Sequence, residues 1–278
     1  MKDQDELKEI VREKYSIIAN QSKLQNESSC CGATTGCCGV DYTIFSENYK
    51  QLAGYQKDAD LGLGCGLPTE FAHIKEGDTV IDLGSGAGND CFVARSIVGE
   101  KGEVIGIDFT PAMIEKARFN VNKLGFTNVS FRLGDIENMP VTANKADVII
   151  SNCVLNLVPD KKKAFSEIFR VLKPGGHISV SDVVIKGSLP IEIQQAAEMY
   201  AGCVSGAIQK DDYLKLMKEA CLTNINIVKE KEVTVPDEIL LQYMSAKTLQ
   251  EFKAAGTGIY SITVYAEKST KPCECTSR

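Results

Sequence analysis

Val80-Ile81-Asp82-Leu83-Gly84-Ser85-Gly86-Ala87-Gly88-Asn89-Asp90 is an apolar, strand-length run that turns through three glycines into a helical stretch. Glycines at such a turn stand where backbone must approach a ligand closely. The pattern continues outward from this point. Strand-like runs at 79–83, 103–108, 129–133, 148–151 and 177–183 alternate with amphipathic helices at 89–98, 111–124 and 161–172, the last closed by Pro174-Gly175-Gly176. That alternation predicts a doubly wound, mostly parallel sheet in the α/β class. Further helices at 191–202 and 210–221 and strands at 226–231 and 260–266 bring the predicted sheet to seven strands. Upstream lie an amphipathic helix over 3–20 (Leu7, Ile10, Val11, Tyr15, Ile18), a polar loop over 20–39, a helix over 46–57 and a glycine-rich turn over 61–68. The expected organisation is a helical, cysteine-rich segment (1–66), a Rossmann-like core (67–185), the remaining strands with lid helices (186–268) and a cysteine-containing tail (269–278).

Composition narrows the functions open to such a fold. With 278 residues and 44% hydrophobic content the chain can bury a large core. A net charge of -6, with basic residues dispersed, argues against a nucleic-acid partner. No run approaches the ~20 apolar residues that span a bilayer, and the N-terminus has no signal-like apolar region, so a cytoplasmic enzyme without a membrane partner is expected. Eleven cysteines, an odd number in a long α/β-patterned chain, read as mostly reduced thiols rather than a disulfide scaffold.

The glycine loop discriminates between cofactors. A dinucleotide fingerprint places its third glycine where Asn89 stands, whereas here it comes one residue early. Asp82 precedes the loop, where it opposes a diphosphate but can pair with a cationic ammonium. Asp108 ends the second strand and is placed for a ribose hydroxyl, and Asp135 follows the third, within reach of an adenine amino group. Together with Leu172-Lys173-Pro174-Gly175-Gly176, these motifs resemble those of the class I S-adenosylmethionine-dependent methyltransferases over residues 70–185. The resemblance implies cofactor contacts from Asp82, Gly84, Ser85, Gly86 and Gly88 around the methionine part. It implies others from Asp108 with Phe109, from Asp135 with Ile136 at the adenine, and from Asn152. Met113 either packs on the ring or fills a helix core position. Against this stands a nicotinamide enzyme or an inactive Rossmann domain, since fold alone does not fix chemistry.

Substrates of open α/β sheets bind beyond the carboxyl ends of the strands, which puts Cys153, in Ser151-Asn152-Cys153-Val154-Leu155-Asn156-Leu157-Val158-Pro159, beside the cofactor. Gly64-Cys65-Gly66 and Gly202-Cys203-Val204-Ser205-Gly206 can fold over the same rim, and three soft thiolates suit a thiophilic ion. Taken singly, Cys65 and Cys203 are weak signals, and the alternative reading of Cys153 is a small buried core residue. These segments resemble those carrying the arsenic-binding cysteines of the arsenite methyltransferases. The resemblance implies that trivalent arsenic, as arsenite or another arsenical, is held by Cys65, Cys153 and Cys203, and that its lone pair takes the methyl group without a general base. The only two histidines, His73 and His177, fall toward the amino ends of strands, away from such chemistry. Because thiolates rather than thiols ligate, activity is expected to rise with pH through their titration range.

The resemblance also implies a redox relay from an N-terminal cysteine, with Cys30, Cys31, Cys37 and Cys38 as candidates, recycled by a thioredoxin- or glutathione-type thiol reductant. Neither Cys-Cys pair has zinc spacing. Cys91 and Cys221 read as core, and Cys273 and Cys275 as metalloid-collecting thiols or a frayed terminus. Two other functions stay open: methyl transfer to a small organic acceptor such as a quinone or sterol, and metalloid sequestration without catalysis.

Overall fold

The computed structural model describes residues 4–21, 26, 48–189, 206–233, 237–241, 244–255 and 257–270. Seven strands form one sheet in the order β3-β2-β1-β4-β5-β7-β6. They are β1 (Thr79–Leu83), β2 (Glu103–Asp108), β3 (Val129–Leu133), β4 (Ala146–Asn152), β5 (Leu172–Lys186), β6 (Leu222–Val233) and β7 (Gly258–Lys268). The first five run parallel, and β7 lies antiparallel between β5 and β6. The order reverses between β1 and β4, which opens a crevice at their carboxyl ends.

Side-chain alternation builds two cores from the same strands. Ile81, Leu83, Ile105, Ile107 and Ile149 face one side, where α4 (Lys161–Val171) buries Ala164, Phe165, Ile168 and Val171, and α5 (Lys210–Glu219) buries Tyr213 and Met217. Val80, Val104, Val148 and Ile150 face the other, against Phe92 and Ala94 of α2 (Asn89–Val98), Met113 and Ile114 of α3 (Pro111–Leu124), and Ile18 of α1 (Gln4–Ala19). Central β1 is apolar almost throughout because both its faces are covered, whereas β6, at an edge, alternates, with Asn224, Asn226 and Glu230 exposed and Ile225 and Ile227 half-buried. Two short helices, α6 (Asp237–Leu240) and α7 (Ala246–Ala254), precede β7.

Punctuation follows the backbone chemistry of the residues. Pro111 fixes the first turn of α3, and Gly125 ends it in the left-handed conformation at φ 69°. Asp160 caps α4 by accepting from the Lys163 N–H at 2.9 Å. The helix expected over 46–57 is shorter: the described part is a 3-10 turn, Tyr49–Gln51, followed by turns. Gly54 stops it, at φ 84° and so close to α2 that a β-carbon there would lie 2.5 Å from the Phe92 carbonyl oxygen. The helix expected over 191–202 lies outside the described residues. No helix among the described residues is long and apolar enough to cross a membrane.

Candidate active site

The turn from β1 into α2 forms the floor of a cavity at the carboxyl ends of the strands. Gly84 (φ 65°) packs so tightly under Val154 that a β-carbon would stand 2.4 Å from a methyl group, and Gly88 (φ 98°) is pressed against Phe131 and Phe92. Only glycine allows both the dihedrals and the approach. Asp82, Gly84, Ser85, Gly86, Asp108, Phe109, Met113, Asp135, Ile136, Asn152 and Cys153 all line this cavity. Gly88 instead shapes the turn from beneath, as the N-cap of α2. Met113 satisfies both of its sequence readings, being fully buried and lining the cavity beside Gly86. The Asp108 carboxylate accepts from the backbone N–H of Gly86 at 3.0 Å and of Thr110 at 2.8 Å, which fixes it at the end of β2. Burial nevertheless pushes its pKa up.

The pocket suits an adenosyl sulfonium on its own features. The Ser85 hydroxyl and the Asn89 side-chain oxygen line it, buried and without a hydrogen-bond partner among the described residues. Carboxylates succeed one another along the floor, and the glycine backbone leaves room against it.

Helix α1 roofs the cavity. Lys8, Val11, Lys14, Tyr15 and Ile18 line it, so Val11, Tyr15 and Ile18 of the apolar face read from the sequence find their partner there, whereas Leu7 and Ile10 of that face are exposed. Lys8 Nζ bridges Asp135 at 2.7 Å and Glu137 at 2.6 Å, Arg12 sits 5.6 Å from the centre of the Phe109 ring, and Lys116 donates to the carbonyls of Ala19 and Gln21 at the end of α1. Asp135, expected to accept from an adenine, therefore also receives a lysine. Nothing in local sequence pattern pairs residues 127 positions apart.

At the other end of the cavity, between β1 and β4, Cys153 forms part of the lining, whereas Cys65 stands just behind it, next to the lining residue Gly64; both are buried as reduced thiols. Cys153 adopts φ 60°, an uncommon conformation for a residue with a side chain, and its N–H donates to the Ser181 carbonyl at 2.7 Å. The neighbouring Asn152 reaches across to the other cysteine. Its Oδ1 accepts from the Cys65 N–H at 3.0 Å, and its Nδ2 donates to the Gly66 carbonyl at 2.9 Å, to the Tyr49 hydroxyl at 2.5 Å and to Asp90 at 3.2 Å. Ser261 of β7 donates to the Cys65 carbonyl at 2.6 Å, and Gly66 packs on Ser181, itself hydrogen-bonded to Thr263. Beneath lies the Tyr213 hydroxyl, 3.1 Å from Asp182. Burial, Asp182 and the two thiols push the tyrosine pKa well up, and burial raises that of Asp182 to about 7.

Sequence reasoning missed Tyr49 and Asp90. The Tyr49 hydroxyl meets both Asp90 carboxylate oxygens at 3.0 Å, and both residues are buried. Burial raises the Asp90 pKa to about 6, and burial and the charge of Asp90 push that of Asp82 well up. Cys91 is buried as expected, but its thiol also donates to Asp82 at 3.2 Å. Cys221, expected in the core, is half-buried at a turn (φ 65°) and disulfide-bonded. Cys203, Cys30, Cys31, Cys37, Cys38, Cys273 and Cys275 lie outside the described residues. The histidines sit at the opposite rim, His177 Nε2 lying 2.6 Å from the Ala72 carbonyl oxygen.

A methyltransferase domain family model matches residues 74–221. The arsenite methyltransferase of Halobacterium salinarum is 41% identical over 91% of this chain and 68% of its own length, and that of Aquipseudomonas alcaligenes is 32% identical over 84% and 67%. Among solved structures, the arsenic(III) S-adenosylmethionine methyltransferase of Chlamydomonas reinhardtii matches with a TM-score of 0.63 at 34% identity, covering 77% of this chain and 70% of the other.

Proposed function

The chain belongs to the arsenite methyltransferase family, S-adenosylmethionine-dependent enzymes on a Rossmann-like sheet, and from that premise we propose that it methylates trivalent arsenic held on Cys65, Cys153 and Cys203. The observation that carries this reading is Cys153 in the lining of the cofactor cavity, with its neighbour Asn152 hydrogen-bonded to the backbone of Cys65. The third thiolate, Cys203, rests on the family resemblance.

When bound, S-adenosylmethionine supplies a methyl group on a positively charged sulfur. Asp108, Phe109, Asp135 and Ile136 hold the adenosine end, and Asp82 with the glycine turn holds the methionine end. The protein's part is alignment. Three thiolates leave arsenic(III) one lone pair and fix where it points, so no side chain has to remove a proton and positioning supplies most of the rate. Asn152, Ser181 and Ser261 pin the backbones of Cys65 and Cys153, which limits the reorganisation needed when arsenic enters.

Transfer of the methyl group leaves arsenic formally pentavalent. Two thiols restore the trivalent state by giving up two electrons and closing a disulfide, which a reductant of the thioredoxin or glutathione type reopens by exchange. Cys30, Cys31, Cys37 and Cys38 are the candidates for this relay. Arsenic detoxification is the physiological role that fits.

The test is methyl transfer from labelled S-adenosylmethionine to arsenite with excess thiol, with Cys65→Ser, Cys153→Ser and Cys203→Ser beside wild type. Turnover by wild type and its loss in all three variants, with cofactor binding retained, is the expected result. A wild type that binds cofactor but leaves arsenite untouched would overturn the arsenic assignment in favour of an organic acceptor.

A further inference from the structure

Asp82 is the carboxylate that the glycine motif assigns to the cofactor, but a second one, Asp90, lines the same cavity and has no role in that motif. It sits in the first turn of α2 and is held from two sides: both its oxygens are 3.0 Å from the Tyr49 hydroxyl, and Oδ2 accepts from Asn152 Nδ2 at 3.2 Å. Only 8% of its surface is exposed. A carboxylate kept this far from water, with neutral donors and no ion-pair partner among the described residues, is unfavourable as an anion unless a cation completes the site.

Topology says which part of the ligand arrives there. Asp108 and Asp135, at β2 and β3, mark the adenosine end, while the β1/β4 crevice holds Asp82, Asp90 and Cys153. The reactive sulfur must lie at that end, because the methyl group goes to the acceptor beside Cys153. S-adenosylmethionine brings two positive charges there, the sulfonium and the α-ammonium. Its demethylated product, S-adenosylhomocysteine, keeps only the ammonium.

Building on the cofactor reading above, we infer that Asp90 is the charge that distinguishes S-adenosylmethionine from S-adenosylhomocysteine: with Tyr49 and Asn152 it forms a site for the sulfonium cation. Asp82 remains with the ammonium common to both. Methyl transfer then removes the cation beside Asp90 and leaves that buried carboxylate without a counter-charge, which favours product release. The same pairing places a specificity determinant for the cofactor on the residue that, through Asn152, also touches the Cys65 turn.

The experiment is calorimetric titration of Asp90→Asn with each ligand separately at pH 7.5. S-adenosylmethionine affinity is expected to fall about 10- to 100-fold, with S-adenosylhomocysteine affinity held within about threefold. Parallel losses for both ligands, or no loss for either, would overturn the inference. A wild-type measurement covers the case of a variant that does not fold. The titratable groups facing Asp90 are Tyr49, Asp60, Asp82 and Cys91. Since burial raises the Asp90 carboxyl to about 6, protons compete with the sulfonium below that pH. The affinity ratio of the two ligands, in which the shared ammonium cancels, is therefore expected to fall by about tenfold between pH 7.5 and pH 5. A ratio flat with pH refutes the assignment, and a wild type that binds neither ligand sinks the cofactor reading along with it.

Discussion

Replacing Asn152 by alanine tests the preorganisation of the thiol pair most directly. The side chain makes four hydrogen bonds, to the Cys65 N–H, the Gly66 carbonyl, the Tyr49 hydroxyl and Asp90. Each is worth about 0.5–1.5 kcal/mol net, and the partners left behind are shielded from water, so a loss of roughly 2–4 kcal/mol is expected. In a chain of this size that lowers Tm by roughly 5–15 °C. The loss falls on the turn that carries Cys65, whose backbone then keeps only its Ser261 contact among those described above. Arsenite affinity, read by equilibrium dialysis with elemental arsenic analysis, is expected to drop about 10- to 100-fold, more than the affinity for cofactor. An unchanged Tm together with arsenite binding within about twofold of wild type would refute the claim that Asn152 holds the two thiols in register.

Three further outcomes follow from the same geometry. Gly84→Ala puts a methyl group 2.4 Å from Val154 at φ 65°, so it should cost about 1–3 kcal/mol and abolish the calorimetric signal of S-adenosylmethionine binding; normal binding would show that the turn has slack. Lys8→Met leaves Glu137 with the Asp160 N–H but unties α1 from the cavity roof, and about a three- to tenfold weaker cofactor affinity is expected, with arsenite binding to the thiols unchanged. Asp182, with a pKa raised by burial to about 7, stays protonated in the folded chain while the unfolded chain ionises near 4, so stability should fall as pH rises from about 4 to about 7 and level off above. The loss is at most about 4 kcal/mol, Asp90 adds to it with the same sign, and a urea midpoint unaffected by pH over that window would contradict the burial of both groups.

Much of the sheet was legible because its signals are local. The boundaries of β1, β2 and β3 and of α2 and α3 agree with the apolar runs and their glycine and proline stops residue for residue. β5 runs longer than its apolar run because Leu172 pairs with Ala146, a match set by the neighbouring strand. The glycine turn and Asp82, Asp108 and Cys153 were readable as residues at strand ends, which topology brings together automatically. Tyr49, Asp90 and Lys8 were not, since each acts on a partner 41 to 129 positions away and none belongs to a periodic pattern. Cys221 shows the converse failure: an apolar helix end predicts burial, but the chain reverses there with φ 65° and the sulfur is tied up in a disulfide.

The place of β7 has a consequence for how the protein is made. It is the last described strand in the chain, yet it enters the sheet between β5 and β6, and Ser261, which bonds Cys65 across 196 positions, belongs to it. While the chain is still emerging from the ribosome, β5 lacks one neighbour and the Cys65 turn lacks one of its anchors. The glycine turn and the adenosine half can form early from contiguous sequence, but the thiol site closes only after residue 261 has been synthesised. On the arsenic reading proposed above, a nascent chain therefore lacks the Ser261 anchor of Cys65 until β7 has joined the sheet.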